Sequence, residues 1–73
     1  MAAVKVKTEV TGSVWKIMAR AGQKLAAGDT IMIIESMKME IPVIAEDGGM
    51  LSQVQVAEGE SVNEGQVVAI LIE

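Results

Sequence analysis

The run IMIIESMKMEIPVIA, residues 31–45, decides how this chain folds. It is rich in strand-forming residues, alternates polar and apolar from Ser36 to Ile41, and contains no Gly, Asn or Asp. A helix is a poor reading, because the alternation has a period of two and Pro42 would break a helix interior. A single strand is also a poor reading, since about five or six residues is usual in a small domain. The chain must therefore turn inside the run, where no residue marks a turn.

A repeat locates that turn. Shifting the chain by 37 residues lays Val6 on Val43, Glu9 on Glu46, Gly12 on Gly49, Gly22 on Gly59, Gly28 on Gly65 and Ile33 on Ile70. The three glycine matches share spacings of 10 and 6 residues, and apolar pairs such as Val14/Leu51 and Leu25/Val62 fall between them. This is the signature of a duplicated unit. Each unit reads as strand, Gly turn, strand, Gly loop, a short extended piece, Gly turn, strand. VKVKTEV (4–10) and SQVQV (52–56) alternate strictly. IMII (31–34) and VVAILI (67–72) are continuous apolar runs, expected for strands covered on both faces. No helix longer than a turn is expected, and the fold class is all-β.

The units are 1–36 and 38–73 within one domain, so the join falls at Met37-Lys38. If the last strand of one unit runs back into the first of the next, a tight hairpin forms there. Approximate two-fold symmetry would then place both chain termini far from it. Two-residue hairpins favour Asn-Gly or Asp-Gly, because primed turns require φ > 0. Met-Lys is poor turn chemistry, and such local rules break most often where function demands a side chain. Here that side chain is Lys38.

Composition narrows the functions. Seventy-three residues make one domain at most, near the size where burial alone suffices only just. Trp15 is the sole aromatic, so the core is Val, Ile, Leu, Met and Ala, and Trp15 itself reads as a half-buried strand residue. With no Cys and no His there is no disulfide, no thiol nucleophile, no imidazole metal site and no histidine-based triad. EDGG (46–49) lacks calcium-loop spacing, and GESVNEG (59–65) lacks the strand-to-helix context of a phosphate loop. MAAVKVKTEV (1–10) has no continuous apolar segment, which argues against a signal peptide or membrane span and for a cytoplasmic protein. Residues 1–38 hold all six bases and three acids (+3), while residues 39–73 hold seven acids and no base (−7). That acidic half is either a solvated face or a handle for a partner, and nothing in it suits nucleic acid.

At ESMKME (35–40) the sequence resembles the biotin-attachment sequence of biotinyl domains, the E-x-MKM motif of biotin carboxyl carriers. The resemblance extends over GSV (12–14), AGQKLAAGD (21–29) and AEGESVNEGQ (57–66). It implies a flattened barrel, or sandwich, of two four-stranded sheets with a pseudo-two-fold axis. It implies that Lys38 is the residue biotinylated by a biotin protein ligase. Met37 and Met39 match the flanks that partner enzymes read, with Glu35, Ser36 and Glu40 adjacent. The alternative for the methionines is that they fill gaps over the sheet end. This chain departs from many carriers in having Ser36 where they have Ala, and in having TEVTG (8–12) and AEDGG (45–49) where they have Ala-Pro-x-x-Gly.

The function implied is a non-catalytic carrier that moves a carboxyl group between a biotin carboxylase and a carboxyltransferase. An amine attacks an acyl-adenylate only as the free base, so such a domain supplies presentation and the ligase supplies activation. Lysine plus biotin makes an arm on the order of 12–15 Å, long enough to visit two sites. Two alternatives stay open: a lipoyl carrier, lipoylated on Lys38 for acyl transfer, and an unmodified interaction module of the same fold. Lipoyl domains usually have Asp before and Ala after the lysine, and this chain has Met at both places. The chain starts at its first strand and ends at its last, as expected of either a free-standing carrier or an excised domain.

Overall fold

A computed structural model describes residues 2–73, and over them the chain is all-β. Eight strands follow in order: β1 (Ala3–Lys7), β2 (Gly12–Ile17), β3 (Lys24–Leu25), β4 (Asp29–Ser36), β5 (Met39–Ala45), β6 (Gly49–Val54), β7 (Ser61–Val62) and β8 (Val67–Ile72). They form two four-stranded antiparallel sheets. One, ordered β5-β4-β2-β7, carries the connection after Ser36 and is called the hairpin sheet; the opposite sheet is ordered β1-β8-β6-β3. A shift of 37 residues carries each strand of the first half onto one of the second, and carries one sheet order onto the other. The backbone bonds obey the same shift. Gly22 N donates to Leu51 O and Gly59 N to Val14 O, both at 2.7 Å.

The core lies between the sheets and is aliphatic. Val14, Ile31, Met32 and Ile34 of the hairpin sheet join Leu51, Val68, Ala69 and Leu71 of the opposite sheet in one buried cluster, with Leu25 and Val62 added from the edge strands β3 and β7. Burying one such side chain contributes roughly 1.5–3 kcal/mol, so a domain this small cannot spare many. Trp15 stays outside, 48% exposed.

The apolar runs in β4 and β8 have a different cause from the one expected. Neither strand is covered on both faces. Thr30 pairs with Ile44 and Met32 with Val43, so Ile31 is an extra residue in β4. This bulge lets consecutive residues Ile31 and Met32 both turn inward, each fully buried. Val68 is the extra residue in β8, where Val68 and Ala69 are buried together. Ile33, Ile70 and Ile72 remain partly exposed on the outer faces.

Two close approaches set the strand ends. A Cβ on Gly12 would collide with the Glu35 carbonyl, and one on Gly49 would lie 2.7 Å from Ile72 O. Gly49 also lies near Glu73, and Gly48 packs on the Leu25–Ala27 backbone that leads into β4. Ala2 and Glu73 exchange backbone hydrogen bonds at that same pole. β4 therefore starts beside the chain ends and runs to the opposite pole of a body measuring 36 × 17 × 17 Å.

Candidate functional site

At that pole Ser36 of β4 pairs with Met39 of β5, leaving Met37 and Lys38 as a two-residue loop. Both have positive φ, 51° and 67°, the requirement of a type I′ turn. Neither is Gly, Asn or Asp, so holding L residues there costs on the order of 1–2 kcal/mol each. The turn projects its side chains into solvent. Met37 is 93% exposed, Met39 63%, and Lys38 is exposed as well. At that exposure Met37 fills no gap over the sheet end.

The stem below the turn is held firmly. Ile34 is fully buried and lies opposite Ile41. Ser36 Oγ donates to Thr11 O at 2.8 Å, tying the base of the hairpin to the entry of β2. Thr11 Oγ1 in turn accepts from Glu64 N at 2.9 Å, which links the same point to the loop before β8. Thr11 was not singled out by sequence reasoning, and no local pattern marks it. Glu35 and Glu40 face each other directly across the two strands. Like charges so placed oppose folding by a few tenths of a kcal/mol or more, so the hairpin retains this pair against its own stability. Among the described residues no cluster of three or more His, Cys, Asp or Glu side chains could hold a metal ion.

An aliphatic sandwich with one lysine raised on a two-residue turn defines a class of scaffold, which displays a primary amine at its tip and keeps its core apart from it. The comparisons with known proteins agree. The family described as "Biotin-requiring enzyme" matches residues 2–71, and the chain belongs to this biotin/lipoyl attachment family. It is 41% identical over 63 residues to the biotin/lipoyl attachment protein of Bacillus subtilis, covering 86% of each chain. It is 36% identical over 66 residues to the biotinylated protein TB7.3 homolog of Mycobacterium leprae, covering 90% of this chain and 93% of that one. Among solved structures, the Kluyveromyces lactis urea carboxylase superposes with a TM-score of 0.93 at 35% identity. That match covers 99% of this chain but 6% of the carboxylase.

Proposed function

We propose that this protein is a biotin carrier and that Lys38 is its attachment point. The observation that carries the reading is the turn itself. A lysine held at positive φ, flanked by two exposed methionines and raised on a braced stem, offers its amine with little of the fold in the way. The residues present fit the group, because covalent attachment asks of this chain only an accessible primary amine.

Lys38 would hold the group through an amide formed between its Nζ and the carboxyl carbon that a biotin protein ligase delivers as the adenylate, with AMP as the leaving group and the amine proton passing to the ligase or to water. Met37 and Met39 supply adaptable apolar contacts for the enzymes that must recognise the tip. Glu35 and Glu40 supply negative charge beside it, and the Ser36–Thr11–Glu64 bonds hold the tip at a fixed attitude. When bound, biotin supplies a ring that accepts a carboxyl group at one active site and yields it at another. The chain is thus a tethered substrate, serving a biotin carboxylase and a carboxyltransferase in the cytoplasm.

Intact mass of protein from a biotin-fed culture of its own organism, repeated on Lys38→Arg, tests this. One biotinyl addition, retained by streptavidin and lost in the variant, is expected. A lipoyl-sized addition would move the protein to acyl transfer, and no addition would remove the carrier role.

A further inference from the structure

The internal repeat makes each outer face a control for the other, because symmetry-related positions share a backbone and differ only in side chain. On the hairpin sheet, rows across the strands read Ser13, Glu35, Glu40, then Lys16, Ile33, Pro42, then Thr30, Ile44. A bulge leaves Trp15 outside beside Lys16, between inward-turned Val14 and Ile17. On the opposite sheet the matching rows read Met50, Ile72, Ala3, then Gln53, Ile70, Lys5, then Val67, Lys7. Ser52 stands at the bulge there. Trp15, Pro42 and Ile44 thus correspond to Ser52, Lys5 and Lys7. At these three positions the hairpin sheet is apolar, with Lys16 beside them, and it ends in an acidic pair beside the hairpin. The other sheet keeps Met50, Ile70 and Ile72 on its outer face but sets Lys5 and Lys7 there, with Lys24 a third cation beside Met50.

Single exposed apolar residues need no explanation, but here Trp15, Ile33, Pro42 and Ile44 lie on adjoining strands of one face. We propose that this face is the seat of the ligase that acylates Lys38. The fitting surface has apolar side chains over Trp15, Pro42 and Ile44, and a lysine or arginine over Glu35 and Glu40. The inference rests on the carrier reading.

Reach selects the ligase over later partners. Before loading, the amine stands on a lysine side chain of roughly 6 Å, so the ligase must press against the hairpin and the sheet it grows from. After loading, the longer arm lets a partner stand off. Continuity with the tip selects the ligase over a second copy, because the apolar side chains share a sheet with the hairpin that carries Lys38, and an enzyme drawn to that amine covers them as it docks. A second copy, whose Lys5 and Lys7 have the complementary charge, is the outcome that sedimentation distinguishes.

The test uses side chains the fold already accepts at the equivalent sites. Trp15→Ser with Ile44→Lys gives the hairpin sheet the surface of its counterpart, and Ser52→Trp with Lys7→Ile does the reverse. Kinetics of biotin incorporation by the ligase of the same cell, read by intact mass, should show KM for the first variant raised about tenfold with kcat within about twofold. The reverse variant should match wild type. Pro42→Lys gives a second, independent reading should the double variant melt early. Unchanged KM in the hairpin-sheet variants, or an equal rise in the reverse variant, overturns the proposal. So does a wild-type dimer by sedimentation that the first variant dissolves, since a second copy would then cover the face. A wild-type protein that gains no mass removes the carrier reading beneath it, a different result from a loaded protein indifferent to this face.

Discussion

Met37 shows what the tip costs. It sits at φ 51° with no polar side chain to bond its own backbone, and it buries almost nothing. Asn at this position suits the type I′ turn and tolerates the left-handed region. Met37→Asn should therefore raise stability by about 0.5–1 kcal/mol, a Tm gain of a few degrees in a domain of this size. Thermal unfolding checks the gain, and ligase kinetics on the same variant should show slower loading. More stability with less loading is the trade expected where a turn keeps the wrong residues for function. The turn at Met37-Lys38 was legible in the sequence for that same reason: a bend without bend chemistry stands out. The bracing under it was not. Ser36 reaches Thr11 across 25 residues and Thr11 reaches Glu64 across 53, and no local rule connects such positions.

At the scale of the elements, the repeat is stronger in structure than in sequence. Arg20 N bonds the Gln23 side chain, and Ala57 N bonds the Glu60 side chain at the equivalent turn. Asp29 closes the next turn onto Ala26 N as Gln66 closes its counterpart onto Asn63 N. Different residue types perform the same bond, so identity between the halves understates their likeness. The strands were legible from alternation and glycine spacing. The bulges at Ile31 and Val68 were not, because an apolar run looks alike whether it is covered on two faces or turned inward by one extra residue. Gly12 carries a further prediction. Its missing Cβ would strike the Glu35 carbonyl, a backbone atom paired in a ladder and unable to yield cheaply. Gly12→Ala should lose about 2–3 kcal/mol in urea unfolding. Gly22→Ala, with open space but φ of 92°, should lose only about 1 kcal/mol.

For the molecule as a whole, the two halves are interleaved, unlike two domains side by side. Only β2 with β4 and β6 with β8 pair within a half. The pairings β1–β8, β2–β7, β3–β6 and β4–β5 all cross between halves, so each sheet draws on both. A half alone would keep one ladder and expose an aliphatic face with nothing to cover it. Peptides 1–37 and 38–73 should each lack strand signal in far-UV circular dichroism. Mixed in equal amounts they should recover it and unfold cooperatively. The turn at Met37-Lys38 serves the fold by joining two pieces that already fit, which supplies an effective concentration on the order of millimolar. Recovery should thus depend on peptide concentration, with a midpoint below that range by the folding constant of the joined domain, on the order of micromolar for a domain of about 4 kcal/mol. Either peptide folding alone would mean that a single repeat holds its own core, and the cross-pairing would then be a consequence of the fold and not its support.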